Sequence, residues 1–250
     1  MNLKAHTVTA ISYIRKPVKR KLLSLCYQLK SKTGIEIGGP SSFFRAKGYF
    51  PIYLFAKRID GVNYSVQTVW EGKINEGPHY KYYNGKIGYQ YIAEATDLSK
   101  IKSESYDFVL SCHSLEHVAN VINAIHEWHR ILKKDGKLVL VLPDKRFTFD
   151  HDRPYTTFGH LLKDYENNID EHDTTHFNEI MQFHDVSMDE GVNSKEELWQ
   201  RLQESFVNRC VHHHVFNQQL VKELLTYCGF EIIHQQEVLS FHLVTVAKKM

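Results

Sequence analysis

Gly34-Ile35-Glu36-Ile37-Gly38-Gly39-Pro40-Ser41 is a short apolar run that stops in a glycine–proline turn. It reads as a strand ending at Ile37, because Gly-Gly-Pro interrupts regular backbone. Downstream lie apolar runs at residues 52–55, a second strand, and at 62–66, a third strand or the end of a broken second. Residues 67–88 have no period and read as loop, and strands are expected at 88–93 and at 106–111, Tyr-Asp-Phe-Val-Leu-Ser. Val118, Val121, Ile122, Ile125, Trp128, Ile131 and Leu132 recur at helical spacing, and Asp135-Gly136 ends that helix. The run Lys-Leu-Val-Leu-Val-Leu at 137–142 fits a strand buried on both faces, as in a parallel sheet. Residues 144–215 are polar and rich in His and Asp, with helical pieces at 158–165 and 195–206. A helix at 218–227, stopped by Gly229, precedes strands at 230–234 and 239–247 with no helix between them, which form an antiparallel hairpin. The alternation predicts an α/β fold: a doubly wound, mostly parallel seven-stranded sheet with an antiparallel edge hairpin and a helical insertion after the fifth strand.

The 250 residues suit one such unit, divided as a basic helical segment (1–32), a ligand-binding core (33–143), a substrate-side insertion or cap (144–215) and a closing helix with two strands (216–250). A net charge of +2 gives no reason to expect a nucleic-acid partner. Cys26, Cys112, Cys210 and Cys228 are widely spaced, a pattern of reduced thiols in a cytoplasmic protein. Nothing reads as a signal peptide or a bilayer span. Lys4, Arg15, Lys16, Lys19, Arg20 and Lys21 precede the first acidic residue, Glu36. Leu22, Leu25 and Leu29 are interleaved with the later ones; such a helix either packs on the domain edge or makes peripheral contact with a membrane surface.

In an open α/β sheet the ligand sits beyond the carboxyl ends of the strands at the switch point. The turn after the first strand is therefore where a cofactor is sought. It is neither GxGxxG nor a glycine loop followed by Lys-Ser/Thr, which argues against dinucleotide and P-loop binding.

Five segments then follow in order: Glu36-x-Gly38-Gly39; Ala95-Thr96-Asp97-Leu98; residues 106–111; Leu115-Glu116-His117-Val118; and Leu132-Lys-Lys-Asp-Gly136-Lys-Leu. Together they resemble the class I S-adenosylmethionine (SAM)-dependent methyltransferases, in particular the type 11 group, over roughly residues 33–143 and the closing elements. The resemblance implies a Rossmann-like methyltransferase fold and SAM as cofactor. Glu36 would lie near the sulfonium and amino group, and the Gly38-Gly39 backbone under the amino-acid tail. Asn63 would face the ribose diol in place of the usual acid. Asp97 and the Leu98 N–H would face adenine, and Ser111 would line the pocket. His113, His117, Asp144 and His151 are the candidate bases for a hydroxyl acceptor, a small molecule or a sugar, since a histidine near neutral pKa suits that work. The 16 histidines also invite a metal reading, but no spacing such as HExxH fixes them on one face, and no metal ligands are assigned. The rival function is a non-catalytic methyltransferase-fold binding module in glycan assembly, because fold alone does not establish activity.

Overall fold

The computed structural model describes residues 18–238 and 241–250. Its centre is an eight-stranded sheet. The parallel strands are β1 (Thr33–Ile37), β2 (Arg58–Asn63), β6 (Lys86–Ile92), β7 (Tyr106–Cys112) and β8 (Leu132–Pro143). β9 (Phe230–Val238) and β10 (His242–Lys249) form the expected antiparallel hairpin against β8. Leu239 and Ser240, expected at the start of the last strand, fall outside the described residues. A two-stranded hairpin, β3 (Gln67–Thr68) and β4 (Gly72–Lys73), stands apart from the sheet.

The eighth strand is β5 (Gly77–Tyr83), antiparallel to β6 in a stretch expected to be loop. It buries Tyr80 and Tyr82 at alternate positions. The order is β5-β6-β2-β1-β7-β8-β10-β9. The chain leaves β1 toward β2 and β6, then returns to β7 on the other side of β1, so the switch point lies between β1 and β7.

Residues 52–55 are not a strand but a single helical turn, α2 (Ile52–Phe55), and the second strand is β2. Helices cover both faces. On one, α3 (Val121–Ile131), α4 (Phe158–Glu166) and α8 (Gln218–Tyr227) pack Ile122, Ile125, Trp128, Leu161, Leu220 and Leu224 against the sheet. Asn120, Thr157 and Asn217 cap these helices by accepting from the N–H three residues on. Each fully buried side chain of this size contributes about 1.5–3 kcal/mol, and Ile125→Ala would lose about 2–5 kcal/mol. On the other face α1 (Val18–Tyr27) buries Leu22, Leu25 and Cys26 beside Phe44, Phe50 and Tyr53. The described part of the basic segment is thus an edge helix whose apolar side is used by the domain; Lys4, Arg15 and Lys16 lie outside the described residues.

After β8 come α4, α5 (Phe177–Phe183), α6 (Lys195–Gln203) and α7 (Ser205–Asn208), with a small apolar core of their own around Phe177, Ile180, Leu198 and Leu202. All four cysteines are free thiols. No helix among the described residues is long and apolar enough to cross a membrane.

Candidate active site

A cavity of about 950 Å³ opens at the carboxyl ends of the parallel strands. Gly38 and Ser41 follow β1, Asn63 and Tyr64 close β2, Glu94 and Ala95 follow β6, Cys112, His113 and Ser114 close β7, and Pro143 ends β8. The insertion walls the opposite side with Phe149, Asp189, Arg201, Asn208, Arg209 and His212. Val69, Trp70 and Glu71, between β3 and β4, also line it. Ligand pockets run to about 1,000 Å³, so this one is at the large end and has room for a cofactor beside an acceptor.

The turn after β1 is shaped by two glycines. Gly38 sits at φ +76°, and a Cβ there would stand 2.5 Å from Ser114 Oγ. A Cβ on Gly39 would fall 2.2 Å from Glu36 Cδ. Glu36 itself is fully buried and does not line the cavity. Its carboxylate accepts from Tyr53 Oη (2.5 Å), Tyr80 Oη (2.7 Å) and the Ser41 N–H (2.9 Å). Burial pushes its pKa up to about 7 against the downward pull of these donors. Both oxygens are committed to the turn, so Glu36 braces the turn from behind rather than facing a ligand amino group.

Asn63 does reach the cavity; its amide nitrogen donates to Gly39 O (3.2 Å), which leaves its carbonyl oxygen as the group to offer a ligand hydroxyl. Asp97 does not reach it. Its side chain is exposed and caps its own turn by accepting from the Ser99 N–H. The Leu98 N–H is spent on Glu127 Oε2 (2.8 Å). The acid at the end of β6 is Glu94, three residues earlier, and Ala95 beside it lines the cavity. Ser111 is buried beneath the cavity wall, its hydroxyl without a partner, and the lining begins one residue later at Cys112.

Of the four candidate bases, His113 and His117 line the cavity and Asp144 and His151 do not. Asp144 folds back onto Arg146, which donates from its backbone N–H and its guanidinium. His151 sits half-buried near Asp152 (3.4 Å) and Asp185 (3.8 Å). The 144–151 stretch does line the cavity through Phe147, Thr148 and Phe149, but Asp144 and His151 are not part of that lining. His113 pairs with His242 (Nε2 to Nδ1, 2.9 Å), and burial, then the charges of His242 and His212, bring its pKa down to about 3.

Two residues beyond the four candidate bases, His212 and Glu116, also line the cavity. His212 Nδ1 donates to Asp150 Oδ2 (2.5 Å), and Asp150 also accepts from the buried Arg153 (2.9 Å). Burial alone would lower the His212 pKa, but the charge and hydrogen bond of Asp150, with Glu116 adding to them, outweigh it and the net shift is upward. His117 Nδ1 donates to Val211 O (3.0 Å). In both rings the contact fixes the proton on Nδ1 and leaves Nε2 as the lone-pair nitrogen. Their centroids are 4.6 Å apart. Glu116 is buried beside them, Oε2 has no hydrogen-bond partner, and burial pushes its pKa up to about 7. One ligand atom each from Glu116, His117 and His212 lie within 4.8 Å of one another.

Residues 47–140 match the methyltransferase domain family. The matched segment holds the cavity walls at Asn63, Glu94, Cys112 and Glu116 but leaves out the Gly38 turn. Among solved structures the fold is similar to that of an SAM-dependent methyltransferase from Mesorhizobium loti (TM-score 0.53, 14% identity, 93% of this chain and 96% of that one covered). It is also similar to a chain in the complex between the Haloferax volcanii Trm112 methyltransferase activator and a methyltransferase (TM-score 0.52, 12% identity, 98% and 93% covered). No curated protein matches the sequence. Residues 47–140 thus match a methyltransferase domain, and the fold around them is similar to that of solved SAM-dependent methyltransferases.

Proposed function

We propose that the protein transfers the SAM methyl group to a hydroxyl of a small polyhydroxylated acceptor, a saccharide or a molecule of that kind, with His212 as the base. The observation that carries this is the buried Asp150–His212 pair, which presents a lone-pair nitrogen to the cavity. Bound SAM would supply an activated methyl to the acceptor oxygen, its sulfur keeping the electrons of the broken bond, and His212 Nε2 would take the hydroxyl proton. Asp150 stabilises the imidazolium that forms. The methyl is already activated by the sulfonium, so the remaining task is to align the two centres at about 3–3.5 Å. SAM would lie across the strand ends, its tail over the Gly38-Gly39 turn that Glu36 braces, its ribose at Asn63 and its adenine at Glu94 and Ala95. His113 and His117 would border the transferring methyl. Trp70 and Phe149 offer ring faces, and Glu71 and Asn208 offer polar groups, a mixture suited to a sugar ring.

A second reading has its own observation. Glu116 Oε2 is orphaned, and His117 and His212 each have Nδ1 tied to an oxygen acceptor, as metal-binding histidines do. These three residues would hold a divalent ion, which would lower the pKa of a bound acceptor hydroxyl.

Calorimetry with SAM and S-adenosylhomocysteine, then transfer of labelled methyl to a panel of hydroxylated acceptors, tests both readings. No binding at high micromolar concentration overturns the enzyme reading. Binding without transfer to any acceptor supports a binding module instead. Transfer that EDTA abolishes selects the metal reading, and transfer indifferent to EDTA but lost in His212→Ala selects the base.

A further inference from the structure

A second cluster of metal-binding side chains lies in the insertion, outside the cavity lining. His160 and Asp164 are one helical turn apart on α4, His176 stands at the start of α5, and His214 comes from the segment before α8. Three stretches remote in sequence therefore converge. His160 Nε2 lies 3.2 Å from Asp164 Oδ2 and 3.5 Å from His176 Nε2. His214 Nε2 lies 3.8 Å from Asp164 Oδ2. One ligand atom from each of the four residues falls within 4.8 Å of the other three. Four donors at 2.0–2.1 Å around a tetrahedral ion sit about 3.3 Å from one another, which these separations approach.

Hydrogen bonding leaves the cluster unfinished. Asp164 Oδ2 is buried without a hydrogen-bond partner, its near neighbours being the ring nitrogens of His160 and His214. A buried carboxylate oxygen left unmatched is unfavourable, and buried charges in proteins are paired or bound to metals. The insertion also has little apolar material: its own cluster is Phe177, Ile180, Val192, Leu198, Leu202 and Val211. Small units of that kind rely on a staple.

We propose that His160, Asp164, His176 and His214 hold a structural zinc ion that joins α4, the start of α5 and the segment before α8. Three imidazoles and one carboxylate in tetrahedral reach suit zinc. His214 Nε2 now donates to Ala119 O (3.0 Å) and exchanges that contact for the ion. Asp173 Oδ2, 3.6 Å from His176 Nε2, borders the site. The inference does not depend on methyl transfer or on the cavity triad.

The test is metal content by mass spectrometry on full-length protein made without a polyhistidine tag, loaded with zinc and dialysed. Wild type retains an equivalent beyond any held at the cavity, and His160→Ala and His176→Ala both lose it, each binding zinc more than about tenfold more weakly. His117→Ala, at the cavity, and His172→Ala, stacked on Phe206 outside the cluster, keep it. Cobalt put in place of zinc gives the visible absorption of a tetrahedral site, absent from both cluster variants, and a chelator lowers the wild-type melting temperature but not that of His160→Ala. His160 is at the half-exposed edge of the cluster, so its variant keeps the fold if His176→Ala does not. A wild-type protein whose zinc content equals that of His160→Ala overturns the proposal, as does a melting temperature indifferent to both zinc and chelator.

Discussion

Gly38→Ala is the sharpest probe of the turn after β1. Gly38 occupies φ +76°, and an added Cβ would meet Ser114 Oγ at 2.5 Å and Ser114 Cβ at 2.9 Å. The left-handed backbone costs an alanine about 1–2 kcal/mol. Crowding Ser114, which cannot be cured by turning its hydroxyl because its Cβ is also too close, adds about 1–3 kcal/mol. The sum, about 2–5 kcal/mol, appears in one of two places. If the turn keeps its shape, the fold loses it, and the melting temperature falls by about 2–4 °C per kcal/mol for a chain of this size. If the turn relaxes in the free protein, the ligand must restore it, and each 1.4 kcal/mol then weakens S-adenosylhomocysteine tenfold. Thermal melting and calorimetry on the same sample therefore measure the total. Adding Ser114→Gly recovers the crowding share and leaves the backbone share, so the two sites couple by about 1–3 kcal/mol in a double-mutant cycle. A Gly38→Ala protein with wild-type melting and wild-type affinity, or additive effects of the two substitutions, refutes the reading of this turn as a cradle set by backbone shape.

Glu94→Ala removes the acid at the end of β6 and the partner that Arg209 holds at 2.7 Å; losing a charge-assisted hydrogen bond of about 1.5–3 kcal/mol weakens S-adenosylhomocysteine about tenfold to a hundredfold by calorimetry, whereas Asp97→Ala leaves it unchanged. Asp150→Asn takes away the charge that holds the His212 pKa up, so burial dominates and the value falls below that of an ordinary histidine, read by ring-nitrogen NMR; it also leaves the buried Arg153 with one carboxylate partner fewer, at about 3 kcal/mol in denaturant melts. Glu116→Gln separates stability from function: the folded pKa of about 7 lies above the unfolded value near 4.5, so the wild-type carboxyl favours the fold fully below pH 4.5 and loses that advantage as pH rises through 7. The glutamine variant is therefore more stable than wild type at pH 8, by at most about 3 kcal/mol, with the gap closing toward pH 4.5 in melts across that range, and it is impaired in methyl transfer.

What sequence shows about this fold is what periodicity can carry. The buried run at 137–142 and the helices around Trp128 and Leu224 have strong, unambiguous periods and stand where expected. Residues 52–55, Ile-Tyr-Leu-Phe, are apolar without a period, which suits either a helical turn or a strand; burial of Ile52 and Tyr53 under the sheet decides for helix. β5 hides because its alternation is written in tyrosines, with Gly77 and Pro78 at its head giving the look of a loop. The site was legible in place but not in detail. The strand-end rule locates the cavity, but which acid faces it depends on where β6 stops: Glu94 is two residues past the last strand position and Asp97 five. Asp144 shows a different limit, since its turn back onto Arg146 is a choice between nearby partners that spacing does not encode.

The least regular part of the chain then has a physical role. Residues 209–217 have no regular secondary structure, yet Val211, His213, His214, Val215 and Phe216 are buried. A buried loop needs its backbone groups satisfied by other means. Here the His213 N–H donates to Glu116 O (2.8 Å), and Val215 exchanges two hydrogen bonds with Thr156, at 2.9 and 3.0 Å. The side chains do the rest in both directions. Arg209 bridges Glu94 at the end of β6 and Glu171 in the insertion, His212 reaches the cavity with Asp150 behind it, and His214 turns to α4. A residue placed to move a proton has to be held to a fraction of an ångström, and an irregular strand meets that demand only when its neighbours are pinned. The three consecutive histidines are thus not three equivalent ligands: the first serves the cavity, and the next two anchor the segment that carries it. Loosening the anchor at His214 would disturb His212 without touching a residue of the cavity lining.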